Sequence, residues 1–143
     1  MLLYWGAAWC PPCNRLKATL FKDPAFIART RAFVAVHLDG DSEGAQAWGE
    51  RFGVKGYPTL VVLRPDRSEL TRLAGHTDTV RLAEALRVAA TRTTTSAQLL
   101  QQALKAPATL SADDWILLGE YGWAVDAAQL VKPGQAADVL TRL

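Results

Sequence analysis

The apolar positions of this chain change period several times, and each change marks an element. Leu2-Leu3-Tyr4-Trp5 is a continuous apolar run, the signature of a short strand buried on both faces. Cys13, Leu16 and Leu20 follow at i, i+3 and i+7, which predicts a helix from about Pro11 to Phe21. Pro11 and Pro12 suit its first turn, where a missing N–H would be unpaired anyway. Asp23-Pro24 reads as an N-cap with proline at N1, opening a second helix through about Thr30. Phe33 to Leu38 is aromatic and β-branched, hence a strand, and Asp39 to Ser42 is a turn. Glu43 to Phe52 is helical, with Ala45, Trp48 and Phe52 in register as core residues and Gly53 as a stop. Thr59 to Leu63 is a second continuous apolar strand. A turn at Pro65-Asp66-Arg67 leads into an alternating strand, Glu69 to Ala74, and Asp78 caps a helix to about Ala90.

The order through residue 90 is therefore βα(α)βαββα. The first three strands are compatible with parallel pairing, and the tight turn at Pro65-Asp66 makes the last pair an antiparallel hairpin. That is an α/β fold: a mixed sheet with helices on its faces. Arg92 to Ser96 is polar and β-branched, and a boundary is placed there, dividing 1–91 from 95–143. The second part reads as all helical. Ser96 is placed as the cap of a helix carrying Leu99, Leu100, Ala103 and Leu104. Ser111 with Asp114 is a capping-box variant ahead of Trp115, Leu118 and Tyr121, and Pro133-Gly134 precedes a last helix. Trp115-Ile116-Leu117-Leu118-Gly119 matches the opening of a tetratricopeptide repeat, but no second repeat is visible. Trp115, Tyr121 and Trp123 are assigned to helix packing, and the whole to a helical extension, part of a longer protein.

Composition narrows the class. Half of the 143 residues are apolar, enough for a core, and the net charge is +2 with no block of like charge. Neither nucleic-acid binding nor electrostatic membrane capture is indicated. No apolar run approaches the ~20 residues of a membrane helix. An apolar strand beginning at Met1, with no polar leader, points to a segment whose N-terminal lead-in, and any export signal, lies elsewhere in the gene.

The chemistry concentrates in Trp9-Cys10-Pro11-Pro12-Cys13, which holds both cysteines of the chain. Two thiols two residues apart allow a metal half-site, a structural staple or a redox pair. A closed zinc site needs four ligands, and only His37 and His76 remain to join, at spacings unlike a finger. A staple across so short a loop constrains little of the unfolded chain. A redox pair is favoured, with no metal and no organic cofactor. His37 is assigned to the sheet surface and His76 to a surface loop.

With Gly56-Tyr57-Pro58-Thr59 added, the chain resembles the thioredoxin family; Pro58 lies 45 residues after Cys13. Asp23-Pro24 and the Phe33 to Leu38 strand make it more similar to the C-terminal domain of bacterial membrane disulfide reductases and related secreted thioredoxin-like proteins. The resemblance covers residues 1–90 and not the helical extension. It implies a thioredoxin-like fold and a thiol–disulfide oxidoreductase acting on protein disulfides or a partner redox protein, as a monomer. The bacterial periplasm or a secreted location is implied ahead of the cytoplasm. The Tyr57–Pro58 bond is implied to be cis, with Pro58 facing the cysteines. The alternative is a binding module of the same fold with vestigial redox chemistry.

Cys10 is expected to be the nucleophile, at a helix N-terminus that favours a thiolate, and Cys13 the resolving thiol. Pro11 and Pro12 lack N–H groups, which leaves those of Cys13 and Asn14 to stabilise Cys10 and favours a reductant over an oxidant. Trp9, Tyr57, Pro58 and Gly75 are the expected contact surface, Gly75 by keeping the rim low. The family carries a buried acid six residues before the first cysteine; here that position is Tyr4.

Overall fold

The computed structural model describes residues 1–75, 78–126, 130–132 and 134–143. His76 and Pro133 lie outside the described residues. Strands β1 (Leu2–Gly6), β2 (Ala35–Asp39), β3 (Thr59–Leu63) and β4 (Glu69–Ala74) form one sheet in the order β2-β1-β3-β4. Helices α1 (Pro11–Ala18), α2 (Pro24–Thr30), α3 (Glu43–Phe52) and α4 (Thr79–Ala89) alternate with them. Helices α5 (Ser96–Lys105), α6 (Ala112–Gly119) and α7 (Ala136–Thr141) follow.

Helix ends fall where the sequence put polar caps. Asp23 accepts from the Ala25 N–H with Pro24 next to it, and Asp78 accepts from the Val80 and Arg81 N–H groups. Ser111 and Asp114 form a capping box, and Gly53 closes α3 at φ 63°. Three boundaries differ from expectation. Helix α1 ends at Ala18 rather than Phe21, because Thr19 leaves the helical region (φ −118°, ψ −87°), its hydroxyl bonding the Arg15 carbonyl, and Leu20–Lys22 form a separate 3-10 turn. Strand β2 starts at Ala35, because the Phe33 N–H is held in a turn by the Thr30 carbonyl. The cap of α5 is Thr95, with Gln98 completing the box; Ser96 is buried and donates to the Thr71 hydroxyl at 2.8 Å.

Pairing direction also departs from expectation. β1 and β2 are parallel, but β3 runs antiparallel to β1. The cause is the path between β2 and β3: after α3 the chain returns to the end of the sheet that it left. Tyr57, just before β3, reaches Gly40, just after β2, with its hydroxyl 3.4 Å from the Gly40 carbonyl oxygen. A strand starting from the end where its predecessor finished must run the other way.

The two apolar runs are buried on both faces, as their composition required. Leu2, Tyr4, Leu60 and Val62 face one cluster, joined by Leu16 of α1, Leu82 and Leu86 of α4, and Leu99, Leu100, Leu117 and Leu118 of the later helices. Leu3, Trp5 and Val61 face a smaller cluster under α3 with Ala45. Trp48 does not belong to it: the residue is 47 % exposed, stacked on Phe52, with the Arg51 guanidinium 4.9 Å from its ring. Helix α3 rests on the sheet through its small buried residues, Ala45 and Gly49, and the Trp5 indole N–H donates to the Ala45 carbonyl. That contact turns Trp48 outward.

The chain after α6 covers the outer edge of β4. The Gly122 N–H donates to the Arg72 carbonyl at 2.7 Å, as a fifth strand would. Arg72 itself has no solvent exposure. Its guanidinium holds both carboxylate oxygens of Glu69, at 2.7 and 2.8 Å, and donates to the carbonyls of Phe52 and Val125. Burial opposes the Arg72 charge, and the Glu69 carboxylate outweighs it, so the guanidinium is held more firmly protonated than usual. Beside it Tyr121 donates to Asp126 at 2.5 Å, and burial first, then that carboxylate, pushes its phenol up.

Candidate redox site

Because β1 and β2 are parallel neighbours, the loops leaving their C-terminal ends lie side by side. The Gly40 N–H donates to the Gly6 carbonyl at 2.8 Å and ties the two loops together. The Gly6-Ala7-Ala8 loop is fixed again from α1, where the Asn14 side chain donates to the Ala8 carbonyl at 2.9 Å. Cys10 is the N-cap of α1, with Pro11 and Pro12 in the first two helical positions.

Cys10 and Cys13 are joined in a disulfide, with their Cα atoms 5.2 Å apart. Both residues are buried, at 2 % and 0 % exposure, Cys13 being the deeper, packed with Ala7 and Tyr57. The Cys13 N–H donates to Cys10 Sγ at 3.3 Å. Asn14 does not contribute a second bond, since its N–H is taken by the Cys10 carbonyl. Removing two N–H groups with prolines and committing a third to the helix leaves one backbone donor on this sulfur among the described residues.

Of the other expected site residues, Tyr57 packs on the pair, Trp9 adjoins Tyr57, and Pro58 meets Gly75. Trp9 is 66 % exposed, its indole N–H bonded to the Asp41 carboxylate at 2.9 Å and its ring 6.0 Å from Tyr57. The Tyr57–Pro58 peptide bond is cis. Gly75 donates from its N–H to the Pro58 carbonyl at 3.1 Å. A Cβ on Gly75 would stand 2.0 Å from Pro58 Cγ and 3.2 Å from Leu16 Cδ1, so the missing side chain is what lets proline and glycine meet. Gly40 has the same relation to Tyr57, whose ring carbon lies 2.4 Å from where its Cβ would be.

His37, exposed on the edge strand β2, stacks on Tyr4 at 5.1 Å. Tyr4 is buried, its hydroxyl has no hydrogen-bond partner among the described residues, and burial raises its pKa. A phenol kept protonated in this way provides no base for Cys13.

Sequence reasoning missed Gly40, Asp41 and the side-chain role of Asn14, whose backbone N–H alone it had named. The Asp39 to Ser42 turn was read as a connection only. Its role follows from pairing: once β2 is set parallel beside β1, the loop after β2 has to lie beside the loop that carries the cysteines.

Residues 1–90 match the family of thioredoxin-like domains over their whole span. The chain belongs to that family. This thioredoxin-like domain is 32 % identical over 96 residues to the thiol:disulfide interchange protein DsbD 1 of Pseudomonas aeruginosa. The aligned part is 64 % of this chain and only 16 % of that protein. A thioredoxin from Thermus thermophilus superposes with a TM-score of 0.55 at 28 % identity, over 60 % of this chain and 69 % of that one. The C-terminal domain of DsbD from Neisseria meningitidis shares the fold, with a TM-score of 0.50 at 23 % identity, over 60 % and 76 % of the two chains. A disulfide pair at a helix N-terminus, in a domain of this family, is the arrangement of a thiol–disulfide oxidoreductase. No helix among the described residues is long and apolar enough to cross a membrane.

Proposed function

We propose that this domain reduces disulfides of partner proteins, or carries electrons between them, by dithiol–disulfide exchange. The observation that carries the reading is the Cys10–Cys13 disulfide at the start of α1, with the Cys13 N–H on Cys10 Sγ. In the reduced domain Cys10 attacks one sulfur of the partner disulfide as a thiolate. The partner S–S bond breaks, a Cys10–partner mixed disulfide forms, and the second partner sulfur leaves as a thiolate. Cys13 then attacks Cys10 Sγ and expels the first. Two electrons pass to the partner, both thiol protons end on its sulfurs, and the domain is left with the Cys10–Cys13 disulfide. With Tyr4 unable to accept a proton, the departing partner thiolate is the natural acceptor for that of Cys13. An upstream dithiol restores the reduced state.

The direction follows from the helix start. A strongly stabilised Cys10 thiolate would stabilise the reduced form and make an oxidant. Two prolines and one committed N–H limit that stabilisation, which favours a couple toward the reducing end, about −270 mV for a thioredoxin. Trp9, Tyr57, Pro58 and Gly75 form the surface on which the partner rests, its backbone pairing beside Tyr57.

Three measurements test the proposal: reduction of a disulfide-bonded protein by the wild type, Cys10→Ser and Cys13→Ser; trapping; and the potential. Both variants should lose turnover, and Cys13→Ser should accumulate a mixed disulfide through Cys10. A potential above about −150 mV, toward the ~−120 mV of a strong oxidant, would overturn the direction. Turnover surviving in Cys10→Ser would overturn the mechanism.

A further inference from the structure

Exchange at Cys10 needs a thiolate in contact with its sulfur, and in this structure the residue is covered. Cys10 is 2 % exposed and Cys13 has no exposure, although Trp9 and Pro11, on either side of Cys10, are exposed. Two apolar side chains among the described residues pack on the pair, Ala7 and Tyr57. Ala7 is a fixed wall: it is buried, and its carbonyl accepts the Cys10 N–H at 3.3 Å. Tyr57 is half-buried and lightly held. Its hydroxyl lies 3.4 Å from the Gly40 carbonyl oxygen, near the limit of a hydrogen bond, and that oxygen also accepts from the Gln46 side chain at 3.1 Å. The Tyr57 ring occupies the place that a Gly40 side chain would take.

We infer that the Tyr57 ring is the gate to Cys10 and sets which thiols reach it. The inference rests on the exchange reading given above, in which Cys10 is the sulfur attacked when the domain is re-reduced. A donor thiolate approaches Cys10 Sγ, the Cys10–Cys13 bond breaks, and Cys13 leaves as the thiolate. The second donor thiol then frees Cys10. Two electrons pass from the dithiol to the pair, and the two donor protons end on Cys10 and Cys13. None of this starts until the ring leaves its seat. A swing about the Tyr57 side-chain torsions is enough, with no change in the backbone. A minor open state holds about 0.1–10 % of molecules, and the rate scales with that fraction, so free thiols react at least about tenfold more slowly than with an open site. A partner that binds the open form removes that penalty. The gate therefore favours a docked dithiol over small thiols in its surroundings.

The test follows reduction of the oxidised domain by dithiothreitol, read from alkylation of the freed cysteines. Tyr57→Ala should raise the second-order rate constant about tenfold or more. Tyr57→Leu should fall between that and the wild type. Tyr57→Phe keeps the ring and loses only the long contact to Gly40, and should stay within about twofold of the wild type. Gly40→Ala, whose methyl group takes the place of the ring, should raise the rate with the tyrosine retained. The equilibrium with glutathione should stay as in the wild type, because a gate speeds both directions alike. Leu99→Ala, a cavity in the larger core cluster, should lower stability and leave the rate alone. Equal rate constants for the wild type and Tyr57→Ala would overturn the gate while leaving the exchange reading standing. A gain as large in Tyr57→Phe would overturn it, since the ring would then cover nothing. A gain matched by Leu99→Ala would do the same, by making access a matter of general loosening. A faster forward rate with the equilibrium moved in step would overturn it too. Failure of Cys13→Ser to trap a mixed disulfide would remove the exchange reading, and the gate with it.

Discussion

The redox end and the seam along β4 are built from opposite materials. At the redox end the inner contacts between the loops are uncharged, and the one carboxylate among the contacts described, Asp41 on the Trp9 indole, lies at the exposed rim. Tyr57 fills the space over Gly40, Pro58 fills the space over Gly75, and single hydrogen bonds link Gly40 to Gly6 and Asn14 to Ala8. At the seam a fully buried guanidinium joins Glu69, the end of α3 and the Val125 carbonyl, with the Tyr121–Asp126 pair beside it. Contacts of the first kind fix positions without adding charge near a thiolate whose pKa sets the chemistry. Contacts of the second kind cost desolvation and are useful only when every partner is present. The molecule thus keeps its buried ion pair away from the sulfurs and uses it where helical extension and sheet have to stay together.

The seam gives the largest expected effect. Arg72→Met removes the cation and leaves Glu69 and two carbonyls without it, which should cost about 3–5 kcal/mol in urea or thermal unfolding. Per folded molecule, disulfide reduction should be nearly unchanged. Arg72→Met combined with Glu69→Leu should recover part of the loss, since no carboxylate then remains unpaired. A loss below about 1 kcal/mol for the single change would break the contrast, because a buried pair broken on one side costs more than that.

Gly75→Ala sits in the middle and should show the reverse balance. A methyl group 2.0 Å from Pro58 Cγ has to displace the proline or the end of β4. Such overpacking typically costs about 1–3 kcal/mol. The shift falls on the proline next to Tyr57, which packs on the cysteine pair, so the rate of disulfide reduction should drop by about tenfold or more. Stability measured by urea and activity on oxidised glutathione separate the two. An unchanged rate with lowered stability would show that Pro58 does not position the reacting disulfide.

The sequence carried the matched region well because its signals are local. Asp23, Asp78 and Gly53 stand where caps do, and the two apolar runs have the composition of central strands. Cysteine spacing and Tyr57-Pro58 did the same for the site. What stayed illegible depends on contacts between distant segments. Alternation along β4 gives no sign that Arg72 is buried, since its partners come from residues 52, 69 and 125. Helical spacing placed Trp48 in the core, but spacing cannot say that Ala45 and Gly49 take the contact instead. The strand direction of β3 turned on where α3 delivers the chain, which no periodicity records.

The smallest effect tests the redox end at its exposed rim. Asp41 accepts the Trp9 indole N–H from the loop after β2, and both residues are exposed. Asp41→Ala should change stability by no more than about 0.5 kcal/mol, the usual range for a surface change. The indole resonance of Trp9 should shift in the nitrogen-15 spectrum as the donor turns to water. If the bond holds Trp9 where a partner lands, KM for a disulfide-bonded protein should rise roughly threefold, or about 0.6 kcal/mol, with oxidised glutathione unaffected. A loss of stability as large as that of Gly75→Ala would make this rim part of the packed frame, and the distinction between a neutral, adjustable redox end and a charged, fixed seam would have to be redrawn inside the loop itself.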